Sequence, residues 1–394
     1  MMIQAVLGNP HHPEYGVATI PFPIPRDQYA HCMELLEALE IGDAVKADCK
    51  VVAVDSFFSV LKRAEMLTVN VEELNYLAKR LDSFDTGEAA QFQAMAHKLE
   101  LFELKDLINL TFCCQQATVI TDFSDLTAIG RDHYMNLHGG SASVDELNKL
   151  DGEETAWRLI ESGGGTITPY GVVYDNGIKL EQVYRGKEFP CYYYEPNPIT
   201  IALTPKTELE DTEQITWLFL PMEQEEIDRA IQRAGIADPN EIRLRLEDSQ
   251  LPNEVDVLLD MEYETLSDLN ELAAATDGLS NADMEKLGAV VTMAKPQTAA
   301  QIKNLAESLD LFDFAPGAHT PQEYGKYMIQ QSGRFEYDEN LDAFYDYEKY
   351  GAERMNEEDG MFTDRGYIAY KGYTSMEEVM NGGPSSHMVM GGMM

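Results

Sequence analysis

Basic residues are scarce in this chain. Its 394 residues include 29 lysines and arginines against 69 aspartates and glutamates, and the formal net charge is −40 at pH 7. A surface of this charge repels nucleic-acid phosphates and anionic membranes and attracts basic proteins. The deficit of cations therefore argues against direct binding to nucleic acid or to a membrane surface. It also exceeds the modest net charge that solubility requires.

Long apolar runs and patterned cysteines are missing as well. No stretch approaches the roughly 20 apolar residues of a membrane-spanning helix. Residues 1–10 lack the basic and apolar regions of a signal peptide. The cysteines are odd in number and form no Cys-x-x-Cys pair, which disfavours a disulfide framework. These absences predict a reduced, cytoplasmic protein. The cysteines are Cys32, Cys49, Cys113, Cys114 and Cys191.

The common catalytic and metal-binding motifs are also lacking. There is no His-Glu-x-x-His sequence, and the glycines at residues 163–165 precede a predicted strand without a phosphate-loop lysine. His11 and His12 have Glu14 as their only close carboxylate. We therefore expect no catalytic residue, no metal and no cofactor. A metal-dependent enzyme with His11 or His12 as ligands is the alternative.

What the chain does contain is a globular composition with an internal repeat. Hydrophobic residues make up 44% and aromatic residues 9%, which is enough for two or three domains with cores. A step of 195 positions carries residues 74–78 onto residues 269–273, and both read Leu-Asn-x-Leu-Ala. So many matches in one register predict a duplicated domain. The same step pairs Ile41 with Ile236, Asp43 with Asp238, Asn109 with Asn304, Gly130 with Gly325, Gly165 with Gly360, Thr168 with Thr363, Gly171 with Gly366 and Gly177 with Gly372.

Each copy is predicted to open with two strands and a proline-terminated loop, continue with helices, and end in a β-hairpin. The predicted strands span residues 3–7, 17–20, 51–54, 199–203, 215–220, 242–246 and 255–259. The predicted helices span residues 27–39, 71–81, 89–99, 104–110, 126–137, 223–234, 266–275, 282–293, 299–309 and 321–331. Asn281 and Thr298 are placed as helix N-caps. The predicted hairpins join residues 166–174 to 178–184 through Asn176-Gly177, and turn around residues 364–366 in the second copy.

These patterns predict an α+β fold made of two tandem copies of an elongated unit. Each unit has a small β-sheet, a helical middle and a C-terminal helix followed by a β-hairpin. The first copy spans residues 1–195 and the second residues 196–380. Residues 381–394 are rich in Gly and Met and carry no charged side chain, so we expect a disordered tail.

The segment of residues 335–360 combines acids with aromatics. Leu341, Phe344, Tyr345 and Glu348 recur at helical spacing, which predicts an amphipathic helix over part of it. A helix rises about 1.5 Å per residue, so its acids recur every roughly 6 to 10 Å. Each DNA strand presents one phosphate per about 3.4 Å of axis. Such a row of carboxylates can imitate phosphates in a DNA-binding groove, whereas the simpler interpretation is a solvated helix face.

The same segment resembles a known family. Residues 346–351, Asp-Tyr-Glu-Lys-Tyr-Gly, and a following Thr-x-x-Gly-Tyr-Ile hairpin are similar to the C-terminal signature of the ArdA antirestriction proteins. Residues 269–272 and the helix around residues 324–327 resemble the middle region of that family in order and spacing. The resemblance covers the second copy almost end to end.

The resemblance implies a non-enzymatic antirestriction protein encoded on a mobile element such as a conjugative transposon. Members of the family mimic DNA and occupy the DNA-binding groove of type I restriction–modification enzymes, which protects incoming DNA. The implied partner is the methyltransferase core of such an enzyme, and the implied assembly is a pseudo-dimer within one chain or a homodimer. The acidic partner-binding residues are Glu336, Asp338, Glu339, Asp342, Asp346, Glu348, Glu353, Glu357, Glu358 and Asp359. The signature or interface residues are Tyr345, Tyr347, Tyr350 and Gly351.

The first copy departs from this signature. Residues 151–156 keep acids but lose the aromatics, and Leu159 corresponds to Arg354. The first copy therefore fits either a scaffold or a different binding surface. Two other functions fit the same sequence: inhibition of another nucleic-acid-binding or defence protein, and general binding of basic proteins as an acidic adaptor.

Overall fold

The computed structural model describes residues 3–206, 215–238 and 241–383. Within them helix makes up 45% and strand 18%, and the strands form several small antiparallel sheets. The predicted α+β class is confirmed. The acidic run at residues 208–213 and the predicted tail from residue 384 onward lie outside the described residues. No helix of the described part is both long enough and apolar enough to cross a membrane.

The chain divides into two compact units. Unit 1 comprises residues 1–195, 207–217 and 223–241. Unit 2 comprises residues 196–206, 218–222 and 242–394. The helix at residues 224–233 therefore belongs to unit 1, although it lies in the chain between two strands of one sheet.

Unit 1 opens with an antiparallel sheet whose strands are ordered β2-β1-β3-β4. Along the second strand, Ala18, Ile20 and Phe22 are buried while Val17 and Thr19 are exposed. This period of two turns one face of the sheet toward the core. The strands are β1 (Ile3–Gly8), β2 (Val17–Phe22), β3 (Cys49–Asp55) and β4 (Thr68–Val69).

Helices cover that sheet and lead to a second sheet ordered β5-β7-β6. Asn70 caps the helix that begins at Val71 by accepting a hydrogen bond from the backbone N–H of Glu73. The helices of unit 1 are α1 (Tyr29–Glu37), α2 (Val71–Asp82), α3 (Thr86–Lys98), α4 (Leu104–Leu110), α5 (Leu126–Leu137), α6 (Val144–Lys149), α7 (Gly152–Glu161) and, further along the chain, α8 (Gln224–Arg233). The strands are β5 (Thr118–Ile120), β6 (Thr166–Thr168) and β7 (Gly171–Tyr174).

Two arginines fix α8 to the rest of unit 1. Arg233 is only 7% exposed and donates to the carbonyl of Ala44 at 2.9 Å, and its guanidinium carbon lies 4.4 Å from the ring centroid of Phe189. Arg229 donates to Glu72 at 2.6 Å. Buried guanidinium groups need such partners because an unpaired buried charge is costly.

Unit 2 repeats the order of the first three strands of the first sheet and of all strands of the second, but its described residues include no counterpart of β4, and α8 belongs to unit 1. Its first sheet is ordered β10-β8-β9 and its second β11-β13-β12. The strands are β8 (Ile199–Pro205), β9 (Thr216–Leu220), β10 (Ile242–Ser249), β11 (Phe312–Pro316), β12 (Asp359–Thr363) and β13 (Gly366–Tyr370). The helices are α9 (Asn253–Asp256), α10 (Leu266–Thr276), α11 (Asn281–Ala294), α12 (Ala299–Ala306), α13 (Pro321–Gln330), α14 (Tyr347–Glu357) and α15 (Met376–Met380).

The Leu-Asn-x-Leu-Ala motif has a structural explanation. Its asparagine in unit 2, Asn270, accepts from the backbone N–H of Met222 at 2.8 Å and donates to the carbonyl of the same residue at 2.9 Å. In unit 1, Asn75 accepts from the backbone N–H of Ile24 at 2.9 Å. Each asparagine thus forms hydrogen bonds with backbone groups two residues beyond the end of a strand, which is β2 in unit 1 and β9 in unit 2. The flanking leucines are buried.

Most predicted elements are confirmed within one to three residues at their ends, but the first hairpin was wrong. The strands that pair are β6 and β7, and residues 178–184 form no strand. Strand β7 already pairs with β5 on its other side, so no free edge remains for another strand. Instead, Asn109 exchanges two hydrogen bonds with the backbone of Tyr184.

Two further predictions were wrong. Residues 255–259, predicted as a strand, overlap α9, and burial of Val255 and Leu259 at i and i+4 with Val257 exposed follows a helical period. The N-cap of α11 is Ser280 instead of Asn281. Its hydroxyl accepts from the N–H of Asp283, whose carboxylate binds back to Ser280 as a capping box. Thr298 caps α12 as predicted.

Candidate functional site

The acidic segment of unit 2 is held by a close crossing of α13 and α14. A Cβ atom added at Gly351 would lie 1.8 Å from the carbonyl oxygen of Pro321, and one added at Gly325 would lie 2.0 Å from that of Tyr347. Only glycine allows two backbones to approach so closely. Asp346 begins α14 as its N-cap, because its carboxylate accepts from the N–H of Lys349 at 3.0 Å.

The chain before α14 forms a 3-10 helix, Glu339–Phe344, and no α-helix. This corrects the prediction of one amphipathic helix through Leu341, Phe344 and Tyr345. The α-helical part begins only at Tyr347. Leu341 and Phe344 are 46% and 84% exposed, so they do not pack into the core of unit 2.

Asp342 connects several parts of the acidic segment through hydrogen bonds. One of its carboxylate oxygens accepts from the Tyr347 hydroxyl at 2.6 Å, the Tyr337 hydroxyl at 2.7 Å and the Gln330 amide at 2.8 Å. The hydrogen bonds from Tyr347 and Tyr337 hold the pKa of the Asp342 carboxyl below its usual range. Asp342 is therefore ionised at neutral pH, and it ties the 3-10 helix to α13 and α14.

Glu358 is engaged in a different cluster. It pairs with Arg354 and accepts from the Tyr324 hydroxyl at 2.6 Å, and its side chain is 15% exposed. Burial and this carboxylate together raise the pKa of Tyr324, which stays protonated as a donor. The charge of Glu358 is thus compensated by Arg354 within unit 2, and a role of Glu358 in binding a partner stays a prediction.

The other acids lie on the surface in two groups. Asp338, Asp342, Asp346, Glu353 and Glu357 are exposed but already have partners within the segment, such as Lys349 for Glu353 at 3.9 Å and Arg354 for Glu357 at 3.4 Å. The side chains of the second group have no hydrogen-bond or ion-pair partner in the described parts of the chain. Its members are Glu336, Glu339, Glu348 and Asp359, all of them exposed.

The signature tyrosines are partly buried against one another. Tyr345 lies between Tyr337 and Tyr347, with ring centroids 5.9 and 5.7 Å away. Tyr350 meets Phe335 edge to face at 5.9 Å. These contacts give the tyrosines a packing role within unit 2. A role of the same residues in contact with another molecule stays a prediction.

Unit 1 carries a related helix pair with a different surface. Gly130 of α5 faces the carbonyl of Gly152, from which an added Cβ atom would lie 1.9 Å. Asp151 caps α7 by accepting from the N–H of Glu154. Leu159, which stands where unit 2 has Arg354, is 7% exposed and belongs to an apolar cluster. The partly buried ion pair of unit 2 is thus replaced by an apolar side chain in unit 1.

A cleft of about 500 Å³ opens in unit 2. It contains the cations Lys286, Arg334 and Lys371, together with several acids. Asp313 accepts from Arg334 at 2.6 Å and from Lys371 at 2.9 Å, so two of the three cations are already paired within the cleft. The exposed acidic surface is therefore the better candidate for binding.

The histidine pair has ordinary partners. The backbone N–H groups of His11 and His12 both donate to the Asn9 side chain, and the His12 ring lies 3.0 Å from Glu14. Among the described residues, no group of three or more His, Cys, Asp or Glu side chains is arranged to hold a metal ion.

The sequence comparisons point to the same part of the chain. Residues 214–369 match the family model for the antirestriction protein ArdA. The matched region runs from β9 to β13 and includes the whole acidic segment. A search of curated proteins gave no match.

Proposed function

We propose that this chain is a non-enzymatic, cytoplasmic antirestriction protein of the ArdA kind, and that it acts as a DNA mimic. In this proposal it occupies the DNA-binding groove of a type I restriction–modification enzyme and protects incoming DNA of a mobile element. The observation that carries the proposal is the set of exposed, partner-free carboxylates in the ArdA-like region: Glu336, Glu339, Glu348 and Asp359.

The spacing of charge along α14 supports mimicry. Glu353 and Glu357 of α14 are four residues apart, so they share one face of the helix and lie roughly 6 Å apart along its axis. Two phosphate steps on one DNA strand span about 6.8 Å. A groove that binds phosphates with lysines and arginines can therefore bind these carboxylates with the same cations.

We further propose that the chain is a tandem duplication, with copies at residues 1–195 and 196–380 forming a pseudo-dimer in one polypeptide. Support comes from contacts that recur at the 195-residue step. The Ser59 hydroxyl lies 2.8 Å from the Tyr170 hydroxyl, and the residues 195 positions later, Glu254 and Arg365, form an ion pair at 2.8 Å. Matching sequence alone does not require the same long-range contact at the same two positions.

A displacement assay tests the function. A type I methyltransferase core is bound to a labelled duplex that carries its recognition site, and the protein is titrated in while fluorescence anisotropy is recorded. We expect release of the duplex near stoichiometric protein, and weaker release as salt rises, because salt screens each carboxylate–cation contact. A control without the enzyme checks that the protein does not bind the duplex. No release by folded protein would refute the proposal.

A charge-reversal variant tests which acidic surface of the protein binds the partner. Replacing the partner-free acids Glu336, Glu339, Glu348 and Asp359 by lysine should weaken displacement strongly. A single reversal should cost only a few-fold, since one exposed charge contributes under about 1 kcal/mol. The matched control reverses four exposed acids elsewhere, Glu37, Glu103, Glu262 and Glu377, with the same change in net charge. Equal losses in the two variants would mean that overall charge acts, and would favour a general acidic adaptor.

A further inference from the structure

We infer that Leu341 and Phe344 form an apolar anchor that enters a recess in the basic surface of the partner. This inference rests on the proposed function and deepens it, since it adds a non-electrostatic contact to the same surface. The anchor pair sits among carboxylates of the 3-10 helix and is exposed to 46% and 84%.

The geometry of the 3-10 helix places the two side chains together. Such a helix has three residues per turn, so side chains at i and i+3 eclipse each other. Leu341 and Phe344 therefore share one face of Glu339–Phe344. Glu339 and Asp342 share another face by the same spacing.

The hydrogen bonds of Asp342 determine which face of the 3-10 helix is turned toward solvent. Its hydrogen bonds from Gln330 of α13 and Tyr347 of α14 hold the Asp342 side chain against both helices, while Glu339 on the same face stays exposed. The face with Leu341 and Phe344 is then left toward solvent. Single exposed apolar side chains are common on protein surfaces, but an adjacent pair within an acidic surface adds nothing to imitation of phosphates, which favours a binding role for this pair.

The chemistry around the anchor identifies the kind of partner. Glu336, Asp338 and Glu339 flank it and carry negative charge. A second copy of the chain would bring the same carboxylates against one another, which disfavours self-association through this face. A protein surface with lysines or arginines around an apolar recess complements both the charges and the side chains. Central aromatic anchors ringed by polar groups are a common source of binding energy at interfaces.

The anchor belongs to unit 2 alone. At the 195-residue step, Leu341 and Phe344 correspond to Glu146 and Lys149 of α6 in unit 1. Both of those side chains are charged and exposed. Unit 2 is therefore the half of the chain that makes the apolar contact.

The test measures affinity for the methyltransferase core across a series of salt concentrations. The full-length double variant L341A/F344A is compared with the wild type, with the four-acid reversal, and with Y263A/Y373A. The last variant removes two tyrosines of unit 2 that are 80% and 108% exposed and serves as the matched control. Circular dichroism and thermal melting confirm that each variant is folded.

We expect L341A/F344A to bind about tenfold more weakly or worse, with the same slope of log Kd against log salt as the wild type. The four-acid reversal should instead flatten that slope, because it removes screened contacts. The control should bind like the wild type.

The outcomes separate the two ideas. Unchanged affinity of L341A/F344A with weakened binding by the reversal would refute the anchor and leave the proposed function standing. No binding by the wild type would refute the proposed function itself. Sedimentation showing that the wild type self-associates and that L341A/F344A does not would assign the face to a second copy and overturn the inference.

Discussion

Single residues set the geometry of the acidic surface. Gly325 and Gly351 let α13 and α14 cross with backbones in contact, and α14 carries Glu348 and Glu353 outward from that crossing. The atoms that an added Cβ would meet are backbone carbonyls, which cannot rotate away. A methyl group at this crossing would therefore push the two helices apart, in addition to disturbing the local packing.

We expect Gly351→Ala to destabilise unit 2 by about 1–3 kcal/mol, the usual cost of overpacking, and to weaken displacement of DNA by shifting α14. Thermal melting and the displacement assay measure the two effects. Gly164→Ala is the control, since its Cβ atom would come no nearer than 3.8 Å to its closest neighbour, the hydroxyl of Ser162. Equal melting temperatures of the two variants would contradict this account of the crossing.

The contacts of these glycines could be predicted from the sequence only in part. The repeat paired Gly130 with Gly325, and the family resemblance selected Gly351, but neither gave the partner of each glycine. Nor does the sequence reveal that Glu358, one of the predicted partner-binding acids, pairs with Arg354 and Tyr324 inside unit 2. A run of acids does not reveal which member is neutralised, because that depends on the fold around it.

At the scale of elements, α8 shows that tertiary packing, and not only position in the sequence, determines to which unit an element belongs. The helix follows β9 and precedes β10, yet it is part of unit 1. Arg233 explains this assignment, since the groups that accept its hydrogen bonds lie in unit 1. They are the carbonyls of Ala44, Lys187 and Gly186, the Asn70 side chain and the Tyr184 hydroxyl.

We expect Arg233→Ala to lower the free energy of unfolding by about 3–5 kcal/mol, because it breaks a buried charge network and leaves acceptors without a donor. Chemical denaturation followed by tryptophan fluorescence measures the change. Arg158→Ala is the matched control: its side chain is 76% exposed and pairs with Glu154 on the helix surface, so its loss should cost under about 1 kcal/mol. Similar costs for the two variants would mean that the α8 contacts contribute little.

Helices and strands that show a local periodic pattern were predicted well. Strand pairing, which depends on a free edge of a sheet, was predicted poorly. The strands of the first sheet and most helices follow from alternation, helical spacing and caps such as Thr298 and Asn70. The hairpin through Asn176-Gly177 failed although the turn itself forms, with both residues at positive φ. Whether a turn leads to a paired strand depends on a free sheet edge, and β7 has none left.

At the scale of the whole molecule, the net charge of −40 opposes folding while it favours a basic partner. Self-repulsion between carboxylates acts over the Debye length, which falls from about 30 Å at 0.01 M salt to about 8 Å at 0.15 M. The two effects of salt should therefore have opposite signs in this protein.

We expect the melting temperature of the free protein to rise by a few degrees between about 0.01 M and 0.15 M sodium chloride, as self-repulsion is screened. Over the same range, affinity for the methyltransferase core should fall. Differential scanning calorimetry and the anisotropy titration give the two measurements on one preparation. A melting temperature that falls with added sodium chloride would show that attractive ion pairs outweigh the repulsion.

The placement of α8 also bears on how such a gene can change. A crossover or stop codon near residue 195, the proposed boundary between the two copies, would yield a product without α8, so Asn70 and Tyr184 would lose their contacts with the guanidinium group of Arg233. The shortest product that keeps all of unit 1 runs to residue 241 and carries two strands of the next sheet with it. A cut near residue 195 therefore removes part of unit 1, and a cut after residue 241 separates β8 and most of β9 from the rest of unit 2.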